Sequence, residues 1–360
     1  MSIKLPKLKK VDFNKEKKKK ILLLSDDLRL HSGVGTMSRE IVYNTCHKYD
    51  WVQVGGAIKH PDKGKRIDVS AEVRSKTGVD DANVIVFPFD GYGNPEILRH
   101  LIATEKPDAI MHFTDPRFWG WLYQMEHEIR QHIPLIYLNI WDDLPYPHWN
   151  EPFYESCDLI MNISKQTQNI VNNVLNKYPK PEWAVQYVPH GINEKEFYPI
   201  DTLHPEYNKF KEFESTFKNK QDVDFIFFWN NRNIRRKQPA DLVLAYKTFC
   251  DTLPKDKSNK CLLLMNTQLS DDNGTDLRAV KIAICPDYKI EITNGGVDLK
   301  TLNYFYNMSD VVVNIASNEG FGLSGAEALV TKTPIINNVT GGLQDHMRFE
   351  DENGDWVNFT

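Results

Sequence analysis

From Asn314 to Leu329 the chain reads Asn-Ile-Ala-Ser-Asn-Glu-Gly-Phe-Gly-Leu-Ser-Gly-Ala-Glu-Ala-Leu, directly after the apolar run Val311-Val312-Val313. Small residues and glycines between a strand and a helix let a ligand come close to the backbone. The amides at the start of such a helix have no intrahelical acceptor and offer donors to an anion or to sugar hydroxyls. Glu319 stands in the turn, and Glu327 follows about one helical turn into the helix. Two acceptor carboxylates on one side of a turn suit a polyhydroxyl ligand. A strand–loop–helix carrying two solvated glutamates is the plain alternative.

The stretch Glu319-Gly320-Phe321-Gly322-Leu323, ending at Glu327, resembles the E-x7-E signature of family 4 of the retaining nucleotide-sugar glycosyltransferases, which have the GT-B fold. Four more elements follow in the family's order. Val188-Pro189-His190-Gly191-Ile192-Asn193, with Phe197 and Pro199, resembles its interdomain strand and loop. Asn231-Arg232-Asn233-Ile234-Arg235-Arg236-Lys237 resembles its G-R-x4-K motif, with the Arg-to-Lys spacing intact. Thr333-Pro334-Ile335-Ile336 and Gly341-Gly342 resemble the elements after the signature helix.

The resemblance implies a donor site in the second half of the chain. Arg232 would meet the donor diphosphate as a planar fork and Lys237 as a point charge, helping the nucleoside diphosphate leave without a metal or other cofactor. Glu327 would accept from the ribose hydroxyls. Glu319 would contact the transferred sugar, with Gly320, Phe321, Gly322 and Leu323 lining it. In the first half, Ser32-Gly33-Val34-Gly35 resembles the family's glycine loop near the donor phosphate, which makes Gly33 and Gly35 donor-binding candidates; Ser32 takes the place of the first glycine. The basic loop has a plainer reading as a solvated cationic turn, since Arg235 and Arg236 are basic too.

On the acceptor side, Pro107-Asp108-Ala-Ile-Met-His112-Phe-Thr114-Asp115-Pro116 resembles a family segment that carries two histidines. His112 matches the first, and Thr114 stands where the second would be. In the family that second histidine lies beside the reacting carbon, and its absence leaves the role unassigned; His112 and Asp115 are the candidates, with a structural fixture as the plainer reading of each. Asp142, in Trp141-Asp142-Asp143 after an apolar run, is a further candidate for contact with the acceptor.

These residues need a scaffold, and the chain alternates short apolar runs with helix-like stretches. Strands are expected at 21–24, 51–57, 84–88, 109–113, 135–140, 159–163 and 185–188, and helices at 37–48, 95–105, 118–131 and 165–176. A second series has strands at 225–229, 262–266, 289–293, 311–315 and 334–338, with helices at 239–252, 299–307 and 324–330. Near-continuous apolar strands separated by helices indicate parallel sheets buried on both faces. The expected architecture is α/β, with two doubly wound Rossmann-like domains facing a cleft. Ligands of such sheets bind beyond the carboxyl ends of the strands. Residues 1–20 read as a basic flexible tail, 21–192 as the acceptor-side domain, 193–222 as a linker without clear period, and 223–360 as the donor domain. Family members usually continue past the point where this sequence ends, so the resemblance leaves either a truncated C-terminal domain or a shortened architecture.

With 360 residues, 41% hydrophobic and 26% charged, the composition is that of a globular protein and excludes disordered, collagenous and coiled-coil chains. No run approaches the roughly 18–20 apolar residues of a membrane span, and no secretory signal is evident. Five cysteines without metal-binding spacing read as reduced thiols, hence a cytoplasmic location. Residues 1–20 hold nine lysines against Asp12 and Glu16, a balance of +7, so the formal net charge of −5 leaves −12 on the rest. A basic tail of this kind suits a polyanion, whether nucleic acid or an anionic membrane surface, or is simply solvated. The expectation is therefore a metal-independent glycosyltransferase that uses a UDP- or GDP-sugar and a hydroxyl acceptor such as a glycan or lipid-linked saccharide. Transfer to hydroxylated DNA bases, a non-catalytic nucleotide-sugar-binding protein and a nucleotide-sugar epimerase are the alternatives.

Overall fold

The computed structural model describes residues 17–357. Two compact units share the chain: one holds the described residues up to His112 together with Gln124–Leu135, and the other holds Phe113–Tyr123 and the rest from Ile136.

In the first unit the apolar runs become β1 (Lys19–Asp26), β2 (Tyr49–Gly56), the short β3 (Ile67–Asp68), β4 (Val84–Pro88) and β5 (Ala109–Phe113). Their order is β3-β4-β2-β1-β5. All pairs are parallel except β3 with β4. Leu22, Leu23, Leu24, Val84 and Val86 are almost wholly buried, as strands covered on both faces require. Lys19 and Lys20 open β1, and Lys18, Lys19 and Lys20 pair with Asp81, Asp108 and Glu105. The other lysines of the expected tail, except Lys17, lie outside the described residues.

The helix after β1 starts earlier than its apolar pattern suggests, at Gly33 rather than Met37, and runs to Thr45. Ser32 causes the early start: its Oγ accepts from Gly35 N at 3.0 Å and caps the helix, while donating to the buried Asp26 at 2.6 Å. The serine that replaces a family glycine thus fixes the loop carrying Gly33 and Gly35. His112 is buried in β5, in register with Leu24.

In the second unit β6 (Leu135–Asn139), β7 (Leu159–Asn162) and β8 (Val185–Tyr187) run parallel. A five-stranded parallel sheet follows, built of β9 (Phe225–Asn230), β10 (Cys261–Asn266), β11 (Lys289–Ile292), β12 (Val311–Asn314) and β13 (Ile335–Asn337) in the order β11-β10-β9-β12-β13. One face of this sheet packs on the Phe228, Phe305 and Tyr306 cluster, the other on Trp229, Leu242 and Val243. These are doubly wound, Rossmann-like sheets, as the alternation of runs implies.

The helices Ser70–Thr77 and Leu277–Ile284 were not among the expected elements, and two expected segments take another form. The stretch 193–222 contains the helix Tyr207–Gln221, where the sequence shows no clear period. Its apolar stripe is narrow, Phe210, Phe213 and Phe217, and those rings pack on Tyr304 and Phe305 of the helix Leu299–Met308. The expected helix 118–131 breaks into short turns at Pro116–Trp119, Gly120–Tyr123 and Glu126–Ile129, and the chain passes between the two units after Tyr123. The five cysteines are all buried, and none forms a disulfide. Among the described residues no helix is long and apolar enough to cross a membrane.

Candidate active site

Asparagine ends six of the strands of the second unit: Asn139, Asn162, Asn230, Asn266, Asn314 and Asn337 close β6, β7, β9, β10, β12 and β13. A side-chain amide at this place satisfies backbone and neighbouring groups where the ladder stops. Asn139 donates to Asn162 at 3.0 Å, Asn266 donates to Asn230 at 2.9 Å, and Asn314 accepts from Ala316 N at 3.2 Å. The repeated asparagine closing an apolar run is a signal already visible in the sequence.

Beyond β12 the chain enters the turn Ser317–Gly322 and then the helix Leu323–Val330. Gly322 has φ +86°, a conformation that favours glycine, and a Cβ there would meet Leu343 at 2.5 Å. Gly341 packs against the same turn with φ +49°; a Cβ on it would lie 2.0 Å from Glu319 O. Gly342 N donates to that carbonyl at 2.8 Å. The glycine pair Gly341-Gly342 therefore holds the shape of the turn.

Glu319 is buried in this turn, and its Oε2 accepts from Arg236 Nη1 at 2.9 Å and from Lys237 Nζ. Arg236 Nη1 also donates to Asn318 O at 2.7 Å. Burial alone would raise the Glu319 carboxyl; Lys237 and Arg236 outweigh it and hold the group below its ordinary range. Burial likewise pulls the Lys237 ammonium down against the attraction of Glu319. Asp142 completes the network: its Oδ1 accepts from Asn318 Nδ2 at 3.1 Å and its Oδ2 lies 3.6 Å from Arg236. Burial pushes the Asp142 carboxyl up, against the pull of Arg236.

Glu327, the second glutamate of the pair, sits in different surroundings. Its Oε2 accepts from Tyr306 OH at 2.5 Å and from Asn230 Nδ2 at 3.3 Å, and among the described residues no cation pairs with it as Lys237 and Arg236 do with Glu319. Burial pushes its pKa up to about 7, only partly opposed by those two donors. Nearby, Ser324 Oγ, both polar atoms of Asn337 and both ring nitrogens of His346 are buried with no protein partner. Phe321 stacks edge-on between His190 and His346, and burial lowers those imidazoles to about 3 and about 4, so both are neutral at physiological pH.

The predicted residues thus divide. Lys237, Glu319 and Asp142 come together with Arg236, which the sequence reading passed over as one more base of a cationic turn. Arg232 is instead 64% exposed and faces Asp271, donating from Nε at 2.7 Å and from Nη2 at 3.3 Å. Gly320, Phe321, Gly322 and Leu323 form the turn and the start of its helix. Asp115 caps the turn Pro116–Trp119 and holds Arg117, with Nε–Oδ1 at 2.9 Å. His112, Gly33 and Gly35 belong to the other unit. Asn230, Tyr306 and His346 were not singled out in the sequence; only the asparagine pattern at strand ends could have flagged the first. No group of three or more His, Cys, Asp or Glu residues converges as a metal site among the described residues.

No known family model matches the chain. Over 209 residues, 57% of its length, it is 27% identical to an uncharacterized glycosyltransferase of Methanocaldococcus jannaschii, and the match spans 47% of that relative, less than half its length. Among solved structures it is similar to the sucrose-phosphate synthase of Thermosynechococcus elongatus, with TM-score 0.65 and 15% identity over 91% of this chain and 83% of the other. It is also similar to an E. coli trehalose-6-phosphate structure bound with UDP-2-fluoro glucose, with TM-score 0.62 and 13% identity over 91% of this chain and 86% of that one. At that identity the likeness is one of fold: this chain has the Rossmann-like α/β architecture of GT-B glycosyltransferases.

Proposed function

We propose that the chain is a retaining glycosyltransferase that moves a sugar from a nucleoside-diphosphate sugar to a hydroxyl acceptor. The observation that carries this reading is the buried Glu319 carboxylate held by Lys237 and Arg236 in a glycine-shaped turn at a strand end. A buried ammonium is tolerated where it is paired, as Lys237 is with Glu319, and a cation held in place beside a glycine-shaped turn is one that an incoming anion can claim. The similarity to the archaeal glycosyltransferase and to a fold that holds a UDP-sugar analogue in E. coli supports the same reading.

In this reading the donor diphosphate competes with Glu319 for Lys237 and with Asp271 for Arg232. The exposed Arg232 swings from Asp271 onto the phosphates as a planar fork, and Lys237 meets the leaving oxygen. As the anomeric C–O bond breaks and the acceptor oxygen bonds to the same carbon on the same face, the acceptor's proton passes to the departing diphosphate, and both cations stabilise the charge that develops there. Glu319 and the amides of Gly320–Gly322 hold the transferred sugar, and Glu327 accepts from the ribose hydroxyls.

The double variant Arg232→Ala, Lys237→Ala tests it. Release of nucleoside diphosphate from UDP- and GDP-sugars and binding of UDP and GDP should fall at least a hundredfold, with the far-UV circular dichroism spectrum retained. The single Arg232→Ala variant, exposed and so without consequence for folding, should already weaken nucleotide binding about tenfold. Unchanged turnover in both variants would falsify the assignment.

A further inference from the structure

The corner after β6 carries an aromatic surface that the donor chemistry does not use. Trp141 leaves the strand with its backbone N–H on Asn139 Oδ1 at 3.1 Å and its indole N–H on Asp143 O at 2.9 Å. Trp149 meets it edge-on, with ring centroids 6.2 Å apart at 76°. The Arg117 guanidinium lies 5.5 Å from the Trp141 ring centroid, and Asp115 fixes that guanidinium. Trp149 is nonetheless 59% exposed, and Phe118, beside Arg117, is 50% exposed. A half-buried Trp141 fixed by two hydrogen bonds, with the exposed Trp149 edge-on against it, forms a surface organised in advance.

This surface is continuous with the candidate site. Asp142, the residue after Trp141, accepts from Asn318 of the signature turn. A Cβ on Gly320 would lie 3.1 Å from Ile140 O and 3.9 Å from Asp142 Cβ, so the turn rests on the root of the aromatic corner.

We propose that the Trp141–Trp149 corner is a stacking subsite for a saccharide, the acceptor of the transfer. A pyranose ring has an apolar C–H face bordered by hydroxyls. The exposed indole of Trp149, braced by Trp141, matches the first, and Asp142, Asp143 and Arg117 match the second. A lipid surface or a protein partner takes a broad apolar patch, whereas this one is interrupted by Asp142, Asp143, Arg117 and His148. The role as acceptor rests on the transferase reading; the binding of sugar does not.

The full chain on an array of neutral mono- to tetrasaccharides of glucose, mannose and galactose tests the subsite. The expected result is retention of at least one saccharide by the wild type, at least tenfold weaker retention by Trp149→Ala, and most of it kept by Trp149→Phe. Trp183→Ala, which removes a tryptophan 67% exposed elsewhere on the unit, should change nothing. Equal retention by Trp149→Ala and wild type, or no saccharide held by the wild type, overturns the proposal. Binding to phosphatidylcholine vesicles that depends on Trp149, without sugar binding, replaces it with a lipid contact. UDP and GDP titrated into the same samples report separately on the transferase reading: loss of nucleotide binding with sugar binding intact defeats that reading and leaves the subsite standing.

Discussion

Glu319 and Glu327 have the same side chain on one turn and its helix, and their surroundings drive them apart. Two cations hold Glu319 ionised, whereas Glu327 meets only a phenol and an amide and titrates near 7. The sign of the consequence follows. Between an unfolded pKa of about 4.5 and a folded one of about 7, the native state keeps a proton that the unfolded chain releases. Stability that Glu327 contributes below the lower value is therefore lost as pH rises through the upper one. The loss is on the order of 3 kcal/mol, at about 1.4 kcal/mol for each pKa unit. Urea unfolding of the wild type and of Glu327→Gln at pH 5, 6, 7 and 8 should show the wild-type stability falling relative to the variant across this range. Parallel profiles would mean that the carboxyl is not perturbed in solution. A ribose that donates to this group needs the carboxylate, so nucleotide affinity in the wild type should rise with pH through 7, and in Glu327→Gln it should stay flat.

The helix Leu299–Met308 connects the core to the site at the scale of elements. Tyr306 reaches Glu327 on one side, while Phe305 packs on Phe213, Phe217 and Phe228. Phe305→Ala should therefore cost about 3–5 kcal/mol in urea unfolding, the range for truncating a buried aromatic ring. It should also weaken nucleotide binding by displacing Tyr306; a loss below 1 kcal/mol would show that the helix repacks freely. The same helix shows what the sequence makes legible. Its own apolar pattern predicts it to within one residue, because Leu302, Phe305 and Tyr306 recur at helical spacing. Its partner, Tyr207–Gln221, was hidden because three phenylalanines among lysines and glutamates make too narrow a stripe to stand out. In the site, the glycine turn and the spacing of Glu319 and Glu327 were readable as local sequence. The partnership of Arg236 and Asp142 with that turn was not, since Asp142 lies 176 residues from Asn318 and only packing brings them together. Tyr306 on Glu327 is likewise a tertiary contact that no local pattern announces.

For the molecule as a whole, charge and unfolding are the properties to follow. Lys18, Lys19 and Lys20 spend their charge on Asp81, Asp108 and Glu105, so part of the basic run is neutralised within the first unit. The loop cations Arg232, Arg236 and Lys237 are matched in the same way by Asp271, Asp142 and Glu319, so most of the charge of the basic loop is neutralised locally. Under the proposed function a diphosphate binds by replacing partners rather than by long-range attraction, and its affinity should depend only weakly on salt. A chain of two compact units need not unfold in one step, and calorimetry can separate the transitions. A ligand that binds only the native state adds about 2.7 kcal/mol at a hundred times its Kd. At roughly 2–4 °C per kcal/mol for a unit of this size, the transition containing Lys237 should rise by about 5–10 °C with UDP or GDP. The transition of the unit containing Gly33 should stay in place if the nucleotide is held by the second unit alone. A rise in both transitions would show that residues of the glycine loop share in binding the nucleotide, and no rise in either would show that neither nucleotide is the ligand. The double variant Arg232→Ala, Lys237→Ala should lose the shift while keeping both transitions, which separates the loss of phosphate binding from the loss of fold.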